Sequence, residues 1–382
     1  MSRLVEHFHL AQQTYNMLGA NYKYREVKPL IILGVDTLEF GLDIGNYNKK
    51  IRPYLRTFKI LKEEGQIQGN VFELEINGIN FSIELSGMRF YAYRLTCKDF
   101  TIGFAEKVLD ENPEVRVRLM AGFLWSYGYR KAYEKFIEWF SYFGANVIKT
   151  RISRLDICVD TDKVYFTASD AEGFVTRAKN KVKHYVNDEF NEGRKFSGFT
   201  IGRGNPLLAR IYEKTLEVKK SGKVWFYEIW KENGWDMVTP IWRTEFQLRR
   251  KVLKELKIDK VEELFNKENE LWAYLTGEWL VLRKKNSNNV SRWKEKRKWM
   301  LIRKAKINED VSPLIREKIK QGNIIGLLNQ ANGLLISIAA NASFENVDQA
   351  LKLLKKWGNT KLAKDGLSFT EKVLTRRKKF LK

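Results

Sequence analysis

The sequence predicts an α+β protein: an antiparallel-rich sheet palm with packed helices, single or duplicated, followed by a basic and mostly helical C-terminal region. Three observations predict it. Short runs of alternating apolar residues recur between 31 and 250, and one strongly amphipathic stretch interrupts them. Beyond 250 the apolar spacing becomes helical. Charge shifts at the same point: 30 Lys and Arg stand against 15 Asp and Glu in 251–382, within a 382-residue chain of net charge +23. These boundaries define an N-terminal arm (1–30), a palm (31–250) and a basic helical region (251–382) that would bind DNA.

In chain order, Ile31 to Phe40 reads as a strand. The segments Asn70–Ile76 and Ile79–Leu85 flank an Asn-Gly pair and read as a hairpin, because Asn-Gly suits a type I′ turn. Val115, Val117 and Leu119 alternate as in a strand. From Trp125 to Phe143 apolar residues recur at helical spacing, with Phe136, Trp139, Phe140 and Phe143 on one face and Gly144 as C-cap. Thr150–Asp160 reads as a strand, 168–183 as a basic helix and 187–197 as a polar loop. Gly198–Gly202, Ala209–Tyr212 and Pro240–Arg249 are three further strands, while 215–234 has no single reading. Near the C-terminus Phe344, Val347, Leu351, Leu354 and Trp357 mark an amphipathic helix.

The composition, 44% apolar with 13% aromatic residues, is that of a folded chain, and a pI near 9.7 favours a polyanionic partner. Nucleic acid leads that class. A membrane is not expected: the start carries no signal-peptide pattern, and the apolar stretch 324–342 is interrupted by Asn329, Gln330 and Asn332. Cys97 and Cys158 are too few for a disulfide framework and too far apart for a zinc motif, which fits a reducing cytoplasm.

Strand alternation collects the candidate chemistry. In RISRLDICVD (151–160), Arg154, Asp156, Cys158 and Asp160 share one face; in ARIYEK (209–214), Arg210, Tyr212 and Lys214 do; in IWRTEFQLR (241–249), Arg243, Glu245, Gln247 and Arg249 do. If the three strands share a sheet, its polar face gathers carboxylates, a phenol and cations. Such a set serves phosphoryl transfer: carboxylates hold Mg²⁺ or Mn²⁺, cations offset phosphate charge, and a tyrosine hydroxyl attacks. A phenol of pKa about 10 needs help, from the metal, a cation or a base such as Glu213. Each strand taken alone reads more readily as a solvated outer face, and Tyr212 alone as a packing residue.

Three stretches then carry a family resemblance. RLDICVD (154–160), TIGRGNPLLARIYEKTLE (200–217) and WRTEFQL (242–248) resemble, in order and spacing, the motif strands of the transfer-type replication initiation factors, the rolling-circle initiators of certain plasmids and filamentous phages. The resemblance spans most of 31–300. It implies a nicking tyrosine, Tyr212, with Arg210, Lys214 or Arg243 steadying developing charge. It implies metal-binding carboxylates, Asp156 and Glu245 first and then Asp160 and Asp36, and a dimer that recruits a host helicase. DNA contacts fall to Arg154, Arg249 and the run Arg292, Trp293, Lys294, Lys296, Arg297 and Lys298 by charge and stacking. The pair His7 and His9 lies far from these strands and is read as part of the arm, and Gly202–Gly204 departs from the family's usual glycine turn. A primase-like palm and a non-catalytic DNA-binding regulator are the other classes compatible with this pattern.

Overall fold

The structure is a computed structural model that describes residues 30–109, 111–187, 193–204, 206–305 and 324–381. The arm with His7 and His9, and Asn205 of the glycine turn, lie outside these residues. The fold is α+β. One antiparallel sheet of 11 strands runs through the molecule in the order β2-β3-β4-β5-β6-β1-β7-β12-β11-β10-β9. Its strands are β1 (Ile31–Ile44), β2 (Phe72–Ile76), β3 (Ile79–Ile83), β4 (Tyr93–Thr96), β5 (Phe100–Phe104), β6 (Val115–Leu119), β7 (Val147–Thr161), β9 (Lys181–Asn187), β10 (Arg194–Gly202), β11 (Leu207–Glu213) and β12 (Trp242–Arg249). β8 (Phe174–Thr176), β13 (Leu280–Lys284) and β14 (Lys294–Glu295) form a separate small sheet.

The long strands β1 and β7 pair at the centre, and each opens one half of the sheet. The first half closes on β6 against β1, the second on β12 against β7. Asn77 and Gly78 both take positive φ (50° and 77°), the geometry of the type I′ turn that joins β2 and β3.

One face of this sheet is dry. On β1, Phe40 packs against Tyr133 and Phe136 of the helix Tyr129–Ser141, at ring distances of 5.3 and 5.5 Å. On β12, Phe246 packs against Trp272 and Trp279 at 5.5 and 6.0 Å. Leu253, Trp272, Trp299 and Ile302 are fully or almost fully buried in the same apolar cluster as β1 and β7, so the chain from 252 to 305 continues the core of the sheet.

Several local expectations change. The helix read over 125–143 is two helices, Ala121–Tyr127 and Tyr129–Ser141, broken at Gly128, whose φ of 75° a continuous helix does not accommodate. The basic helix read over 168–183 is a short 3₁₀ turn (Ala168–Gly173) followed by β8 and the start of β9. There the Lys and Arg residues sit on strands and connections, and charge alone had suggested a helix. Part of the expected loop 187–197 is strand β10. The segment 215–234 lies in two helices, Lys214–Ser221 and Trp225–Glu232. No helix among the described residues is long and apolar enough to cross a membrane.

Candidate functional site

The other face of the sheet carries the polar residues, and the register aligns them. Arg243 lies opposite Asp160 and Tyr212, Glu245 opposite Cys158 and Arg210, and Gln247 opposite Asp156. β1 adds acids through a bulge: the pairing with β7 slips between Val35 and Thr37, so Asp36 is the extra residue and turns its carboxylate toward Arg243. Past the bulge Thr37 faces Asp156 and Glu39 faces Arg154. At Gly198, φ is +154° and an added Cβ would fall 2.3 Å from the Ile211 carbonyl and 2.8 Å from the Tyr212 Cα. Glycine there lets β10 close on the strand that carries Tyr212.

Two ionic clusters result. The first is sealed. Arg243 is 0% exposed and donates from Nε and Nη2 to the two oxygens of Asp160 at 2.6 and 2.7 Å, and from Nη1 to Asp36 at 2.6 Å. The indole of Trp230 donates to Asp160 at 3.0 Å and that of Trp125 to Asp36 at 3.2 Å. The guanidinium lies 4.7 Å from the Phe226 ring centre and 5.2 Å from Trp125. Gly34 leaves room for this lid, since a Cβ there would stand 3.0 Å from the Trp125 ring. Burial raises the Asp36 carboxyl, but Arg243, Lys214 and Lys223 outweigh it and hold it at about 2. The carboxylates beside Arg243 keep its guanidinium charged despite complete burial.

The second cluster is open to solvent on one side. Tyr212 donates its hydroxyl to Glu245 Oε2 at 3.1 Å, while Arg210 donates to Glu245 Oε1 at 2.7 Å and to Gln247 at 3.2 Å. Arg154 grips Asp156 through Nε at 2.8 Å, reaches Gln247 at 3.0 Å and lies 3.5 Å from Glu39. The Arg210 side chain is 36% exposed and the Glu245 side chain 6%. Burial pushes the Tyr212 phenol well above its ordinary value, and the negative charge of Glu245 adds to this. Burial also raises Glu245 and Asp156 against the pull of Arg210 and Arg154 respectively. The phenol is therefore protonated, and its hydrogen-bond acceptor is a carboxylate with raised proton affinity.

The expected site residues sort accordingly. Tyr212, Arg210, Glu245, Asp156 and Arg154 converge in the open cluster, and Arg243, Asp160 and Asp36 form the sealed one. Lys214 lies with its ammonium 5.7 Å from the Tyr212 ring centre and 4.6 Å from that of Phe226, paired with Glu217, and burial lowers its pKa. Glu213 does not reach the phenol: it is the next residue along the strand, faces the opposite side of the sheet, and pairs with Lys195 at 3.1 Å. Arg249, opposite Arg154, is partly exposed. In the basic run, Arg292, Lys294 and Arg297 are exposed, whereas Lys296 and Lys298 bind buried Asp170 at 2.7 and 2.6 Å, and the Trp293 indole donates to the Ser287 carbonyl at 2.8 Å. Sequence reasoning missed Glu39, Trp125 and Trp230, and it placed Gln247 on the polar face without giving it a role. Gln247 lay within a quoted motif, and the clustered aromatics of 225–235 were the signal for the lid.

The donor set does not suit a divalent cation. Both Asp160 oxygens, and one oxygen of Asp36, are engaged by Arg243 and indole N–H groups; Asp156 is engaged by Arg154, and Glu245 by Arg210 and Tyr212. Among the described residues no group of three or more His, Cys, Asp or Glu side chains is arranged to hold a metal ion. In this arrangement the carboxylates fit guanidinium partners rather than a metal cage.

An all-antiparallel sheet with one dry and one ionic face, a half-buried tyrosine on the ionic face and a strongly basic chain define the class, an α+β protein with a tyrosine-centred polar site. Comparison with known proteins adds a structural likeness. The sequence matches no protein-family model and no curated protein. Among solved structures the chain is similar to the rolling circle replication initiator protein from Geobacillus stearothermophilus, at 18% identity and a TM-score of 0.43, over 73% of this chain and 99% of that one.

Proposed function

We propose that this protein initiates rolling-circle replication by nicking one DNA strand with Tyr212. The observation that carries this reading is the hydrogen bond from the Tyr212 hydroxyl to Glu245, 3.1 Å long, within a cluster whose exposed rim is Arg210. The three motif strands that resemble the transfer-type initiators meet at this point, and the net charge of +23 suits a polyanionic substrate.

The chemistry follows from the geometry. Glu245 accepts the phenolic proton as the Tyr212 oxygen attacks the scissile phosphorus. The new O–P bond leaves a 5′ phosphotyrosine link, the P–O3′ bond breaks, and the departing 3′ oxygen takes a proton from solvent. That 3′ hydroxyl primes synthesis. Arg210, on the open side, offsets charge developing on the phosphoryl oxygens, and Arg154 with Gln247 keeps Arg210 and Asp156 in place. Arg243 is sealed from substrate and acts on Tyr212 through its field alone, with Asp36 and Asp160 neutralising most of it. In this reading Arg249, Arg292, Lys294 and Arg297 contact DNA phosphates.

The test uses supercoiled DNA of the protein's own replicon, with wild-type protein and Tyr212→Phe, each with Mg²⁺ or Mn²⁺ and with chelator. Nicked circles carrying covalently bound protein are expected from the wild type and none from Tyr212→Phe. Equal nicking by both would make Tyr212 structural; DNA binding without nicking by either would favour a regulator.

A further inference from the structure

Away from the Tyr212 cluster, four segments enclose a cavity of about 570 Å³ at the far end of the β10–β11 hairpin. Its walls are the connection 177–180, the hairpin residues Gly202, Arg203, Pro206 and Leu207, the helix Arg250–Glu255 and the turn Tyr274–Trp279. Backbone hydrogen bonds fix these walls to one another: Gly202 N–H to the Asn180 carbonyl (2.9 Å), Arg249 N–H to Pro206 (2.9 Å) and Arg177 N–H to Trp279 (3.4 Å). The last wall is a π-helical turn, Leu275–Trp279, a rare geometry that recurs at functional sites. Half-buried Tyr274 and Trp279, which is buried against Phe246, line the cavity at the two ends of this turn.

The rim has a different chemistry. Arg177, Lys179 and Arg203 line it and are all exposed, while Glu255 is the acidic residue on the helix wall. Two rings that are half-buried or buried, together with three exposed cations, match a ligand that is flat and apolar at one end and anionic at the other. A nucleoside monophosphate unit has that form. Its size also falls within the range of small-molecule pockets, roughly 300–1,000 Å³. Position selects between a free nucleotide and one within a strand: Leu207 lines the cavity, and Tyr212 lies five residues further along β11, about 17 Å at strand rise and on the opposite face of the sheet. A single strand leaving the Tyr212 cluster can round the hairpin and reach the cavity.

We infer that this cavity is a second nucleic-acid subsite, which takes one unpaired nucleotide of the single strand engaged at Tyr212, with its base against Tyr274 and Trp279 and its phosphate on Arg203, Lys179 and Arg177. The inference rests on the nicking reading above and deepens it.

The experiment measures binding of a fluorescein-labelled 12-mer of dT to the full chain by anisotropy, beside origin nicking by the same preparations. Arg203→Glu with Lys179→Glu should weaken strand binding at least tenfold. Its log–log salt slope should become shallower by about 0.7, the contribution of the one phosphate held there. A charge-matched control, Arg56→Glu with Lys59→Glu on the distant helix Arg52–Gln68, should lose less than threefold. Tyr274→Ala should weaken binding about tenfold, and Tyr274→Phe should restore it, a rescue that charge alone does not produce. If wild type and cavity variants nick alike and bind the strand alike, or if the control loses as much, the subsite is wrong and the nicking reading stands. Neither strand binding nor nicking by the wild type would overturn both. Tighter binding of dTMP than of the strand would reassign the cavity to a free nucleotide and overturn the inference.

Discussion

The two ionic clusters on the polar face use the same residue types to opposite ends. In one, Arg243 is sealed under Trp125, Phe226 and Trp230 with both oxygens of Asp160 and one of Asp36 in its grasp, so no phosphate reaches it. In the other, Arg210 is over a third exposed and the phenol of Tyr212 is half-buried, so a phosphate can replace solvent there at small cost. The difference teaches that charge on a strand face does not itself mark a site. What marks it is whether the aromatic lid closes over the charge.

The largest expected effect comes from breaking the sealed cluster. Arg243→Met leaves Asp160 fully buried and Asp36 partly buried without their cation and should cost about 3–5 kcal/mol of folding stability. Arg210→Met removes a partner that is 36% exposed, and should cost less, about 1–2 kcal/mol. Urea denaturation of the two variants measures the contrast. Equal losses would mean that the open cluster is as structural as the sealed one.

A smaller effect sharpens the open side. Glu245→Gln still accepts the phenolic hydrogen bond but takes up no proton, so nicking should slow by about 10² to 10⁴ while DNA affinity holds. The pH–rate profile separates this from misplacement. With Glu245 the rate should rise with pH as the carboxyl, raised above its ordinary 4.5, ionises; with Gln that limb should vanish. A limb that persists in the variant would place the base elsewhere.

How much of this was legible before the structure differs by element. Strand alternation sufficed for the polar face, because a period of two assigns Asp156, Asp160, Tyr212 and Glu245 to one side wherever the strands pair regularly. The same period puts Glu213 on the opposite side, so reading it as a base for Tyr212 went against the alternation. It could not divide the carboxylates into sealed and open, since that division depends on the helix Trp225–Glu232, whose aromatics all looked alike in sequence, and on Trp125, which arrives from the other half of the sheet. Asp36 reaches Arg243 through a bulge, a register slip that no periodicity announces. The basic helix expected over 168–183 failed because charge density says nothing about period.

The smallest effect is the pH dependence of stability, where the clusters should carry opposite signs. Asp36 is held at about 2 against an ordinary 3.8, so its stabilising contribution is complete above about pH 4 and is lost as pH falls through about 2. Asp156 and Glu245 are raised above 3.8 and 4.5, so their contribution is complete below those values and is lost as pH rises through the raised ones. Urea midpoints from pH 2 to 7 should therefore show Asp36→Asn less stable than wild type at neutral pH, with the gap closing toward pH 2. Glu245→Gln should gain on wild type as pH rises past 4.5, because the variant is spared an ionisation that its burial opposes. If both variants moved in the same direction with pH, the lid would not distinguish the two clusters, and burial rather than exposure to substrate would have to account for both.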